Sequence, residues 1–191
     1  SCTTPVLSDL EDQKVCPGED VSWTASNTAS LQDGETIAYQ WNKKGNNTVL
    51  SGDATLTLDN VTEAAGGTYV VTATVSADGK ASATATKEVT LTVTPATATP
   101  TITANANTIY TGNDVTLTAT CASSGVGYQW YICTDAEGNG ESEIGDAENA
   151  TLALTAGEAG TYYYKVIVTG DGTHSCGTAE KVYTLVVSTS N

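Results

Sequence analysis

Val115-Thr-Leu-Thr-Ala119 alternates apolar and hydroxyl side chains, and the same rhythm stands 94 positions earlier at Val21-Ser-Trp-Thr-Ala25. A period of two puts successive side chains on opposite faces of an extended chain, so both stretches read as half-buried β-strands. Outward from this pair, Tyr39-Gln-Trp41 returns as Tyr128-Gln-Trp130 and Gly67-Thr-Tyr69 as Gly160-Thr-Tyr162. Val89-Thr-Leu-Thr-Val93 returns as Tyr183-Thr-Leu-Val-Val187. Relative to the first copy, the second is five residues shorter before the Tyr-Gln-Trp motif, four longer after it and one longer near its end. These changes fall between periodic segments, where loops tolerate insertion. Two homologous domains follow, at 1–95 and 96–191. The join, Thr94-Pro-Ala-Thr-Ala-Thr-Pro100, reads as an extended, semi-rigid linker of ~3.1 Å per residue.

The period of two recurs elsewhere. Leu56 and Leu58 alternate with threonines, and Leu152 and Leu154 with small residues. Threonine suits a pleated strand through its β-branch while its hydroxyl faces water. Turn clusters such as Cys16-Pro-Gly-Glu-Asp20, Ala77-Asp-Gly79 and Gly170-Asp-Gly172 punctuate the runs. No stretch carries a helical stripe. The class is all-β, with about seven short strands per copy, which predicts two β-sandwiches of Greek-key type.

Composition narrows the function classes. The chain has 191 residues, 22 acids against 7 bases, and a net charge of −15. All the bases are lysines, and Phe and Met are absent. Such a chain has no basic stripe with which to displace counterions from phosphates, so a nucleic-acid role is excluded. At 39% hydrophobic it is too apolar for a disordered acidic tail. No run of 18 apolar residues exists to form a membrane-spanning helix. The missing Met reads as a processed chain or an internal, monomeric fragment of a larger protein.

The motifs together resemble immunoglobulin-like domains. The family's second strand, glycine followed by spaced apolar positions and a cysteine, is similar to Gly18, Val21, Trp23 and Ala25, and to Gly112, Val115, Leu117 and Ala119. Its third-strand tryptophan corresponds to Trp41 and Trp130. Its tyrosine corner corresponds to Glu158, Gly160, Tyr162 and Tyr164, and to Ala65, Gly67, Tyr69 and Val71 with the acid lost. Both intersheet cysteines are replaced, by Ala25 with Val71 and by Ala119 with Tyr164, which departs from antibody-type domains. The Tyr-Gln-Trp motif, the Thr-rich strands and the low basic content resemble repeats of bacterial surface and adhesion proteins. The resemblance implies a non-catalytic adhesion module or spacer, secreted or at the cell surface, that meets an unknown protein or glycan. The alternative it leaves open is an accessory, glycan-binding module of a larger secreted enzyme.

Five cysteines, at 2, 16, 121, 133 and 176, suit an oxidising compartment. In the strand order of the resembled fold, Cys121 and Cys176 fall at one end of the second domain and are expected to pair, with Cys133 as the competitor. Cys2 and Cys16 could close a local loop; the other reading of Cys2 is a lipidated cysteine. The lone His174 stands in a Gly-rich hairpin and carries no catalytic expectation. Asp135, Glu137, Asn139 and Glu141 alternate as in the opening of a calcium loop, with Asp146 at its twelfth position. Six acids lie between Asp135 and Glu148 without a base, and a hard cation would relieve their repulsion. If Trp130 and Tyr162 point inward, then Tyr131, Tyr163, Lys165, Ile167 and Val186 point outward on one sheet as a candidate binding face. The equivalents in the first copy, Asn42, Val70, Thr72, Thr74 and Thr92, are more polar.

Overall fold

The computed structural model describes residues 1–189, which divide between Thr94 and Pro95 into two units. The first unit contains β1 (Gln13–Val15), β2 (Val21–Thr24), β3 (Thr36–Lys43), β4 (Thr55–Leu58), β5 (Gly67–Ser76) and β6 (Ala83–Val93). One sheet runs β1-β6-β5-β3, and β2 pairs antiparallel with β4 to form the other. The alternating strands each give one face to the space between the sheets. Val21 and Trp23 from β2 and Leu56 from β4 meet Trp41, Tyr69, Val71, Val89 and Leu91 from the larger sheet in one buried cluster.

The second unit contains β7 (Thr101–Ala104), β8 (Ile109–Tyr110), β9 (Asp114–Thr120), β10 (Gly127–Cys133), β11 (Ser142–Glu143), β12 (Thr151–Thr155), β13 (Gly160–Thr169) and β14 (Thr178–Ser188). Its sheets run β11-β10-β13-β14-β8 and β12-β9-β7. Val115, Leu117, Ala119 and Leu152 from the smaller sheet pack with Trp130, Val166, Val168, Leu185 and Val187 from the larger. Both units are therefore β-sandwiches, as the period of two requires.

The repeated motifs do the same physical work in each copy. Trp41 and Trp130 are wholly buried. Their indole N–H groups donate to the carbonyls of Ala54 at 3.1 Å and Asn149 at 2.8 Å, just ahead of β4 and β12. A buried indole needs such a partner, so each tryptophan pins one sheet to the other. The Tyr69 hydroxyl donates to the Ala65 carbonyl at 2.5 Å, and Tyr162 to the Glu158 carbonyl at 2.7 Å. The acceptor is main chain in both cases, which is why the first copy keeps its corner although an alanine stands where the second has a glutamate. Where a cross-sheet disulfide would sit, Ala25 and Val71 are buried, and Ala119 is buried with Tyr164 packed against its cluster. In the first unit the space is filled by aromatic stacking: Trp23 lies 6.4 Å from Trp41 and 5.7 Å from Tyr69, centroid to centroid.

The join is tied down on both sides. Thr94 and Thr97 are buried, and each side of the join is bonded into its own unit. The Thr94 amide donates to the Val15 carbonyl. Cys176 N–H donates to Pro95, Thr97 N–H donates to Cys176, and the Thr97 hydroxyl reaches the Cys176 and Gly177 carbonyls. Pro100 is fully buried at the end of the stretch, and the main chain and the Thr97 hydroxyl add polar anchors.

Candidate functional site

Pairing register maps the outer face of the larger sheet in the second unit. Tyr131 on β10 stands opposite Lys165 on β13, which stands opposite Val182 on β14. One step along, Cys133 faces Tyr163 and then Thr184; one step back, Gln129 faces Ile167 and then Glu180. Lys165 thus occupies the middle of a three-strand surface. It is nevertheless buried, with only 8% of its side chain exposed.

What covers it is the loop after β10, the place where the second copy is longer. Gly138 is buried, with φ +84°, and its main chain lies so close to the sheet that a Cβ there would come within 3.0 Å of Val182 Cγ2 and 3.2 Å of Lys165 Cδ. The absent side chain lets the loop settle on the sheet. Lys165 Nζ donates to the Gly138 carbonyl at 3.0 Å, pairs with the Glu141 carboxylate, and lies 3.2 Å from Glu180. It also stands 5.9 Å from the centroid of the Tyr131 ring, within cation–π range. The hydrogen bond that the ammonium donates to Glu141, with help from Glu180, holds it above its usual pKa against the opposing effect of burial. The neighbouring Cys133 thiol is buried, and that burial pushes its pKa up.

The loop is also closed on itself. Asp135 accepts from the Glu137 and Asn139 amides at 3.0 Å each and from the Asn139 side chain at 3.0 Å, which lowers its pKa. Thr134 contributes its amide and hydroxyl to the Asn139 carbonyl. The five residues of the expected calcium loop are therefore not brought together. Asp135 caps its own turn, Glu141 turns to Lys165, and Asp146 stands in a separate turn at φ +61°. Among the described residues no group of three or more His, Cys, Asp or Glu could hold a metal. Glu141 finds its counter-charge on a lysine from a strand, at a distance in sequence that spacing within the loop does not reveal.

The expected outward face is likewise divided. Lys165 is buried under the loop and Tyr131 is half-buried beside it. Tyr163 and Ile167 are half-exposed, and Val186 is 57% exposed. The residues that sequence reasoning passed over are Gly138, Glu180 and Val182. The signal for them lies in the combination of a lysine at mid-strand with an acidic insertion that contains glycine.

No protein-family model matches this sequence, and no curated protein matches it. Solved structures do. A two-domain structure titled DIP-gamma IG1+IG2 is 14% identical, covers 97% of this chain and 98% of that chain, and superposes with a TM-score of 0.56. The fold is immunoglobulin-like. Sidekick-1 immunoglobulin domains 1–5 (16% identity, 98% of this chain, 40% of that chain, TM-score 0.46) and the three N-terminal domains of the bacteriophage RB49 Hoc protein (16%, 98%, 70%, 0.44) are also similar. At these identities the likeness speaks for fold alone.

Within the immunoglobulin-like units the cysteines differ from the expected pairing. Cys2, Cys121 and Cys133 are free, whereas Cys16 and Cys176 are disulfide-bonded, so neither Cys121–Cys176 nor Cys2–Cys16 forms. The Cys121 thiol instead donates to the Ala98 carbonyl at 3.3 Å, taken up by the strand-leading segment beside it. Cys2 is buried, with its amide bonded to Ala81. In the hairpin between β13 and β14, His174 Nδ1 lies 2.6 Å from Asp171 Oδ2 and both side chains are solvent-accessible. Asp171 also accepts from the Thr173 and His174 amides, and with the His174 contacts leading, its pKa is held far below the usual carboxylate range. The adjacent Ser175 hydroxyl is turned to the Ser124 carbonyl. This is a turn capped by an aspartate.

Proposed function

We propose that this chain is a non-catalytic, extracellular or cell-surface immunoglobulin-like module that acts in adhesion and presents the outer face of its second unit to a protein or glycan. The observation that carries this reading is the contrast between the two outer faces. Tyr163, Ile167 and the exposed Val186 stand on the second sheet, where the first unit carries Val70, Thr74 and Thr92. An apolar body with a hydrogen-bonding tip, which tyrosine supplies, fits either kind of partner. Disulfide bonding at Cys16 and Cys176 supports an oxidising compartment. The test is a glycan array together with binding to intact cells, using the whole chain and its Tyr163→Ser and Val186→Ser variants. Specific binding that both variants lose supports the reading. Binding that survives both removes this face from it, and silence on every surface favours a spacer.

A further inference from the structure

We propose that residues 134–141 form a detachable strap, latched by the single ammonium of Lys165, that closes over the outer sheet face of the second unit and opens as one piece to bare Tyr131, Cys133, Tyr163 and Val182. The strap has the construction of a small rigid body. Asp135 and Thr134 satisfy the amides and carbonyls of its turn from within, so it keeps its shape without the sheet. Its two ends are fixed where β10 pairs with β11 through Tyr131–Glu143 and Ile132–Ser142. Between those ends, among the described residues, the polar bonds from the strap to β13 and β14 end on one atom, Lys165 Nζ, through the Gly138 carbonyl and the Glu141 carboxylate. The remaining attachment is the packing of Gly138 on Val182 and on the lysine stem.

A cover fixed at both ends and held in the middle by one charge is poised to open locally. A unit with few polar ties to its surroundings opens at a lower free energy than the strands beneath it. Cys133 immediately precedes the strap, faces Tyr163, and feels the charges of Lys165, Glu141, Asp135 and Glu180, which places its thiol inside the latch. The latch is defined by these contacts whatever the face binds.

The thiol gives the test. The whole chain is treated with N-ethylmaleimide under native conditions, and alkylation is followed peptide by peptide at Cys133, with the other free cysteines, Cys2 and Cys121, as internal reporters of opening elsewhere. In Lys165→Met, which keeps the apolar stem and removes the charge, alkylation at Cys133 should rise about tenfold or more, as expected for the loss of a charge-assisted bond, while Cys2 and Cys121 keep their rates. The rise has to overcome the loss of a cation that favours the reactive thiolate. In Glu141→Gln, whose side chain is 45% exposed and whose change keeps size and shape, a smaller rise confined to Cys133 is expected. Unchanged Cys133 reactivity in both variants overturns the strap, as does a parallel rise at all three cysteines in Glu141→Gln.

Discussion

Replacing Tyr69 or Tyr162 by phenylalanine removes one hydroxyl and leaves each ring in place, so the pair compares the same bond in two surroundings. Tyr69 is 3% exposed, and its hydroxyl meets the Ala65 carbonyl at 2.5 Å. In Tyr69→Phe the carbonyl loses its donor in a part-buried setting, where an unsatisfied acceptor costs about 1–3 kcal/mol. Tyr162 is only half-buried and its bond to Glu158 is exposed, so water replaces the hydroxyl and the loss should be about 0.5–1 kcal/mol. With a urea dependence of roughly 1–3 kcal/mol per molar for a domain of this size, a loss of about 2 kcal/mol moves the midpoint by about 0.7–2 M. The thermal equivalent is about 10 °C for a unit near one hundred residues. Hydrogen exchange read by mass spectrometry along a urea series follows β5 and β13 separately, so each unit reports on itself. The first unit should weaken clearly in Tyr69→Phe and the second only slightly in Tyr162→Phe. Equal losses, or a larger one in Tyr162→Phe, would refute the argument that burial of the corner sets its worth.

Two further outcomes follow from the same contacts. In guanidinium without reductant, three thiols should alkylate, at Cys2, Cys121 and Cys133, with Cys16 and Cys176 reacting only after reduction; alkylation of Cys176 before reduction would contradict the assignment. Lys165 has a raised pKa in the folded state, so the stability it contributes is complete below its unfolded value of about 10.4 and is lost as pH climbs through the higher folded value. The difference in urea midpoint between the natural chain and Lys165→Met should therefore hold steady from pH 8 to 10 and shrink above that range, and a difference that does not shrink would detach it from the ammonium.

Much of the fold was legible because strand periodicity is local. Val115, Leu117 and Ala119 face the core because alternate side chains must share a face, and Trp41 and Trp130 are buried because their bulk has nowhere else to go in chains without phenylalanine. The tyrosine corner was legible for the same reason, since its acceptor is main chain four residues upstream. What lies over part of the outward face, and what pairs with the acidic loop, was not legible, and one residue explains both. Lys165 lies 24 residues beyond Glu141 in sequence, on a strand whose alternation marks it as outward and exposed. Periodicity gives the face a side chain points from, and nothing about what is folded down upon it.

The cysteines divide along the same line. Their number and the acidic, arginine-free composition belong to the sequence, and so does the compartment they suit. Their partners belong to the tertiary structure, because a disulfide requires Cα atoms within about 7 Å and correctly aimed Cβ atoms. By itself, then, the sequence determined two all-β sandwiches, their repeat, and the residues that fill and pin their cores. Only the tertiary structure decided that Cys121 bonds a carbonyl in place of a second sulfur, that Asp135 caps its own turn, and that a lysine in mid-sheet is buried beneath an acidic loop. The physical reason is that the first set is fixed by interactions within a strand's length, while the second depends on which distant groups arrive at the same few ångströms.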